Sequence, residues 1–443
     1  ATGYNLHHRD NTLTQLFSDL PVDWINGAVD ADEAYLWLAA SAGFYKIDIW
    51  GGTIDYVYYS AEMPLDAAAE RKYIFDHVWR QTAKKFYRPD LHGYDWDGLH
   101  DAYGRYLPHI SNGRDFAEFL GEFAGELNAS HMGSGYSAWQ ADGDDTGELG
   151  LFYDSSHEGP GVKVAGVLTN GPADTAGSRI LPGVIIGAVD GVEIGAEQDI
   201  WPFLNRTTGR AIRLSLKDPA SGETWDQVVT PTDAWTQWEL AYWHWVEQKR
   251  ELVETLSGGR IGYSHVRAMD EASYRVAYSN IFGRYAFTEA LLVDVRFNNG
   301  GNLTNQLLTL LSGKTYLTSY PGDRGYASAD PYNRWTRPSA VLTNPAAYSD
   351  GHIFPFSYKE LGIGPLVGEP VPGTGTWVWW EDQQDPSLYW GIPQGGIRDN
   401  RGGWLENTQL EPDVLVPLPP EARTSGQDPQ LEAGVKLLLE GLE

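Results

Sequence analysis

The sequence predicts a multidomain α+β protein, and three observations carry that expectation. At 443 residues the chain exceeds what one hydrophobic core usually serves. Its hydrophobic pattern changes period along the chain, from strand-like to helical near residue 60 and back to strand-like near 149. In the last part, from about 258, strands and helices alternate, the mark of layered sheets with crossover helices. The expected organisation is a β-rich segment at 1–60, a helical domain at 61–148, a third domain at 149–233 and an α/β domain at 234–443.

Taken in order, Tyr35 to Ala40, Gly43 to Asp48 and Ile54 to Tyr59 are aromatic and β-branched runs separated by glycine, and predict strands. The run Ala67 to Trp79 spaces its apolar residues at helical intervals. Phe116, Phe119, Leu120, Phe123 and Leu127 form a second such stripe, begun by Ser111-Asn112-Gly113, and are read as core. His92 and His100, eight apart in Asp-rich sequence, are expected on a solvated helix face. Val162 to Val167 is a strand, and Ile185 to Val189 a buried one ending in Asp190-Gly191, which suits a tight hairpin. The phrase Gly171-Pro172-Ala173-Asp174-Thr175-Ala176-Gly177 with Leu181-Pro182-Gly183 and that hairpin resembles a PDZ domain of the kind embedded in proteases. Such a domain binds an extended peptide at a sheet edge, or serves only as a spacer. Further on, Arg260 to Val266, Ala290 to Arg296 and Ser339 to Leu342 predict strands. Glu271 to Phe282, Leu303 to Leu311 and Ile353 to Leu361 predict helices.

Composition narrows the function. Apolar residues at 42% and 18 Trp exclude global disorder. With 32 basic and 60 acidic residues the formal charge is −28, which argues against nucleic acid or an anionic membrane as partner. The absence of cysteine rules out disulfides, a thiolate nucleophile and Cys-ligated zinc, and among 11 His there is no H-E-x-x-H. No metal or other cofactor is expected. No apolar run reaches 18 residues and no signal peptide is evident, so the chain as given reads as soluble. It starts at Ala1, which leaves an upstream segment open. The cytoplasm is the expected compartment, with a periplasmic or secreted site as the alternative.

Candidate chemistry gathers in four places. Ser349 stands at a strand-to-helix corner, Tyr348-Ser349-Asp350-Gly351, where its hydroxyl is exposed beside the free N–H groups of a helix start. The competing reading makes Ser349 an ordinary N-cap. Asn298-Asn299-Gly300-Gly301 ends a strand in a glycine pair that lets backbone approach a ligand. Ser130-His131 ends the second helical stripe, and Glu406 lies near a Pro412-Asp413 turn.

In this order the segments resemble the tricorn-type serine peptidases of family S41, the C-terminal processing peptidases. Matching phrases are GELNASH, GRIGYSHVRAMD, DVRFNNGGN, SDGHIFPFSYKELGIGPLVGE and LENTQLEPD. The resemblance implies a crotonase-like ββα catalytic core at 234–443 and a tetrad. Ser349 would be the nucleophile, His131 the general base, Ser130 its hydrogen-bond partner, and Glu406 the group orienting Ser130. The N–H groups of Gly300 and Asp350 would form the oxyanion hole. An acidic group for a basic substrate side chain would fall in the loop after Thr315, with Asp323 and Asp330 as candidates. Peptide substrates and a hexameric or trimeric assembly are implied as well. Two departures stand out: about sixty residues of strand, read as a propeller remnant, precede the core where the family carries whole β-propellers, and the loop has two glycines where three are commoner. A peptide-binding protein with an inactive peptidase core is the rival reading, and an acyl-CoA enzyme of crotonase type a weaker one.

Overall fold

The structure is a computed structural model that describes residues 2–7, 12–18, 25–32, 34–40, 43–58, 64–137, 143–319 and 328–443. The chain divides into two units, 1–70 and 71–443. The first unit holds a hairpin, Gly3–His7 with Thr12–Phe17, and a four-stranded antiparallel meander. The meander runs Ile25–Val29, Tyr35–Ala40, Gly43–Asp48, Ile54–Val57. Phe17 of the hairpin and Leu38 and Ile47 of the meander form the buried core of this unit.

Helices Ala67–Lys85 and Gly113–Gly125 follow the two expected stripes, and another helix, Trp96–Gly104, lies between them in the chain. Asn112 caps helix Gly113–Gly125 by accepting from Asp115 N–H at 2.9 Å. Their core is not self-contained. Phe75, Trp96, Phe116, Leu120 and Phe123 pack with Leu388, Trp390 and Ile392, which come from the far strand Leu388–Gly396. That strand pairs on one side with Gly133–Tyr136 and on the other with Thr376–Asp382. The residues just before Gly133 are therefore fixed against the C-terminal half of the chain. His92 and His100 depart from the expectation. His92 bonds Tyr87 Oη (2.6 Å) and the Leu127 carbonyl (2.8 Å), while His100 stacks on Phe75 and meets Asp76 at 3.0 Å. Both are half-buried members of the helical packing rather than a wet face.

Residues 143–233 form an antiparallel sheet ordered Thr224–Val229, Ile212–Lys217, Ile185–Val189, Val162–Val167, Leu151–Tyr153. Asp190 and Gly191, at φ 49 and 84, make the two-residue hairpin to Val192–Glu193. Helix Ala234–Ser257, capped by Asp233 and ended by left-handed Gly258, leads to the central sheet.

That sheet is wholly parallel: Ile261–His265, Ala290–Asp294, Ser339–Thr343, Leu366–Gly368, Val414–Leu415. Its first three strands are buried at every residue, so they read as continuous apolar runs rather than alternation. Leu291 and Val293 face helices Glu271–Ser279, Thr304–Leu311 and Asp350–Glu360, while Leu292 faces helices Ala234–Ser257 and Pro429–Glu440. The predicted helix over 271–282 ends at Ser279 and widens into a π turn, Asn280–Arg284. Among the described residues no helix is long and apolar enough to cross a membrane. The protein is thus a mixed α/β molecule with several sheets.

Candidate active site

Strand Ser339–Thr343 stops at Asn344-Pro345, and four residues later the chain turns into helix Asp350–Glu360. At this corner Ser349 has φ 57 and ψ −122, a region L residues avoid. Its neighbours enforce the shape. Tyr348 N–H donates to the Asn298 carbonyl (2.9 Å), Ser349 N–H to Thr374 Oγ1 (2.8 Å), and Gly351 N–H to the Tyr348 carbonyl (2.8 Å). Ser349 occupies the N-cap position, yet its side chain caps nothing. Its Oγ instead lies 2.9 Å from His131 Nε2. The simple N-cap reading therefore fails.

His131 sits in a left-handed conformation (φ 63), its N–H donating to Tyr348 Oη at 2.6 Å. A Cβ on Gly391 would stand 2.6 Å from the His131 carbonyl, so only glycine lets the far strand pass so close. On the other side of the ring, Nδ1 lies 3.0 Å from Ser130 Oγ and 3.0 Å from Thr376 Oγ1. Glu406, itself buried, accepts the Ser130 hydroxyl at 2.8 Å and also the Ser130 N–H. As a carboxylate it only accepts, so the Ser130 proton points to it and away from the ring. The ring proton then belongs on Nδ1, leaving the Nε2 lone pair for the Ser349 hydroxyl. Burial holds the His131 pKa below the usual histidine range, which favours the neutral imidazole.

The glycine loop meets this pair at Ser349. Gly300 has φ 91, and a Cβ there would be 2.5 Å from Ser349 Cβ. Its N–H donates to Asn298 Oδ1 at 2.9 Å. Asp350 N–H has no acceptor among the described residues and stays available at the helix start. The Asp350 carboxylate turns inward and accepts from Leu303 N–H (2.6 Å), Thr304 N–H (2.9 Å) and Thr304 Oγ1 (2.6 Å). It thereby caps helix Thr304–Leu311, which has no side-chain cap of its own, and ties the glycine loop to the elbow.

Ser130, His131, Ser349, Glu406, Gly300 and Asp350 thus come together, although they are spread over most of the chain. Asp330 ends the short strand Ser328–Asp330 and shares no hydrogen bond or ion pair with them among the described residues. Asp323 lies outside the described residues. Sequence reasoning missed Tyr348, Thr374 and Thr376. The signal for the threonines was Gly373-Thr374-Gly375-Thr376, where hydroxyls alternate with glycines that let another backbone pass close. A Cβ on Gly375 would sit 2.7 Å from Glu406 N, and one on Gly373 2.1 Å from Thr408 N. Buried His352, its pKa pushed down to about 4 by desolvation, accepts Thr374 N–H through Nδ1 at 3.3 Å and steadies the same segment.

Comparison with known proteins gives a consistent picture. Residues 67–125 match the Tricorn protease C1 domain and residues 260–416 match Peptidase family S41. Tricorn protease homolog 1 of Streptomyces coelicolor is 30% identical over 400 residues, covering 86% of this chain and 36% of that protein. Tricorn protease of Thermoplasma acidophilum is 26% identical over 392 residues, with 86% and 36% covered. A putative tricorn-like protease C-terminal subunit of Sulfurisphaera tokodaii is 27% identical, with 86% and 44% covered. The chain therefore spans well under half the length of these relatives. A crystal structure of the tricorn protease superposes on all of this chain and 43% of its own, with a TM-score of 0.85 at 23% identity, and so shares its fold.

Proposed function

Because the chain belongs to the tricorn-type serine peptidases of family S41, we propose that it hydrolyses peptide bonds of peptides or unfolded polypeptides through an acyl-enzyme. The observation that carries this reading is the 2.9 Å approach of His131 Nε2 to a Ser349 hydroxyl that caps no helix. Ser349 Oγ attacks the substrate carbonyl carbon while its proton passes to Nε2. The oxyanion so formed takes the free N–H of Asp350, with Gly300 N–H as second donor once it turns from Asn298. The carbon–nitrogen bond then breaks, and His131 returns the proton to the departing amine. Water repeats the sequence on the ester, with His131 again as base, and releases the acid and Ser349. Ser130 and Glu406 act through the ring, holding its tautomer and facing the imidazolium that forms in each half.

The segment 149–233 is read as a PDZ domain and the parallel-sheet region as a crotonase-like core. The antiparallel meander of residues 25–57 is read as one blade of a propeller. Assembly into a hexamer or trimer, and selection of basic side chains by Asp323 and Asp330, belong to the same proposal. Digestion of a mixed peptide library by wild type and Ser349→Ala, read by mass spectrometry, tests it. Products from wild type alone support the peptidase; identical digests from both, or none from either, reject it. Enrichment of Lys or Arg beside the cleaved bond, lost in Asp330→Asn, is the outcome expected for substrate selection.

A further inference from the structure

We propose that Thr376 is a second positioning residue for the His131 imidazole, holding the Nδ1–H tautomer jointly with Ser130. This rests on the reading of His131 as general base. Thr376 opens strand Thr376–Asp382 and is only 1% exposed. Its Oγ1 is as near to Nδ1 as Ser130 Oγ is, both at 3.0 Å. The same oxygen lies 2.8 Å from Ser130 Oγ and 3.2 Å from the Ser130 carbonyl oxygen.

The protons can be placed by asking who is able to give one. Glu406 and the Ser130 carbonyl can only accept. The Ser130 hydroxyl proton goes to Glu406 Oε2 (2.8 Å), and the Thr376 proton lies between the Ser130 hydroxyl oxygen (2.8 Å) and the Ser130 carbonyl (3.2 Å). Both hydroxyl oxygens then present lone pairs to Nδ1, and the ring proton is shared between them. With one acceptor alone, a single hydroxyl rotation would turn that acceptor into a donor and admit the opposite tautomer, which buries the Nε2 lone pair's role as base. Two acceptors, each with its proton committed elsewhere, oppose that rotation twice. When the ring gains its second proton during acyl transfer, both bonds become charge-assisted and strengthen. Thr376 therefore acts on turnover more than on substrate binding. Thr374, in the segment that leads into this strand, holds Ser349 N–H at 2.8 Å, so neighbouring residues steady both members of the pair.

Thr376→Val removes the hydroxyl at constant shape, and Thr376→Ser restores it. We expect Thr376→Val to lower kcat about tenfold with KM within about twofold, and Thr376→Ser to recover most of that loss. Ser130→Ala should likewise lose about tenfold, and the double variant Ser130→Ala/Thr376→Val more than the product of the two, on the order of 10³-fold. Imidazole 15N shifts of His131 report the tautomer without any turnover. They should show Nδ1–H in wild type and in each single variant, and loss of that tautomer in the double variant. Thermal melts confirm folding of each protein. Unchanged kcat in Thr376→Val, failure of Thr376→Ser to recover it, or a double variant that is merely multiplicative with Nδ1–H intact would overturn the proposal. If wild type cleaves no peptide the peptidase reading falls, while the 15N shifts still decide the place of Thr376.

Discussion

Ser349 (φ 57), His131 (φ 63), Asn128 (φ 47), Phe297 (φ 64) and Asn407 (φ 57) all hold left-handed backbone around one spot. Each such residue costs about 1–3 kcal/mol, and persists only where its surroundings over-determine it. Here they do: Asn407 Nδ2 donates to the Asn128 carbonyl at 2.7 Å, and Phe297 N–H to Asn344 Oδ1 at 3.0 Å. Glu406→Gln offers one acceptor and one donor to a Ser130 that presents two donors, so it disturbs the relay without emptying the site. It should lower kcat less than His131→Ala, which loses the base and roughly 10⁴-fold or more of turnover. Steady-state kinetics on one peptide ranks them, and equal losses would contradict the relay. Burial also gives a pH prediction. The acid limb of kcat/KM should fall below the ordinary histidine pKa of about 6.5, because the free enzyme keeps His131 neutral there. The unfolded chain binds a proton on this ring below about 6.5 while the folded chain does not. This contribution to stability is therefore whole above that pH and is lost as pH falls toward the folded value.

At the scale of elements, the glycine loop and the helix Asp350–Glu360 are locked by Asp350, whose carboxylate collects three donors from the start of helix Thr304–Leu311. Asp350→Asn keeps the shape but loses the charge, and should destabilise by about 1–2 kcal/mol while lowering kcat, as read by denaturant unfolding and kinetics. Neither effect would be seen if the cap were incidental. Much of this layer was legible in the sequence because local rules determine it. The strands Tyr35–Ala40 and Gly43–Asp48 fall where aromatic runs broke at glycine, Asp190-Gly191 turns the hairpin it suggested, and Asn112 starts the helix of the Phe116 stripe. What was not legible is nonlocal. No period or propensity says that Gly133–Tyr136 pairs with Leu388–Gly396, or that Thr376 lands on an imidazole 245 residues away. The Ser349 hydroxyl was open to two readings for the same reason, since only a distant histidine distinguishes nucleophile from cap.

For the second unit as a whole, the helical segment and the C-terminal half are one folding problem. Removing Leu388, Trp390 and Ile392 opens the core that Phe75 and Phe123 depend on, so a fragment of residues 67–137 should show little cooperative unfolding by circular dichroism. A cooperative, well-folded fragment would contradict the shared core. A buried charge network performs a parallel task at the other end. Arg296 bridges Asp294 (2.7 Å) and Asp428 (2.8 Å), joining the strand before the glycine loop to the cap of the last helix. Arg296→Met leaves Asp294 without its counter-charge, held by Tyr263 Oη (2.9 Å) and the backbone N–H of residue 296 (3.0 Å), and weakens the hold on Asp428, to which Lys249 remains at 3.0 Å; it should destabilise by about 3–5 kcal/mol. These long-range ties hold a hydroxyl and an imidazole, 218 positions apart, in hydrogen-bond contact. The most direct measurement of whether that contact activates the serine is labelling with a fluorophosphonate, followed by intact mass and peptide mapping. A single adduct on Ser349 in wild type, absent from His131→Ala, is the predicted result. No adduct in wild type, or equal labelling without the histidine, would contradict it.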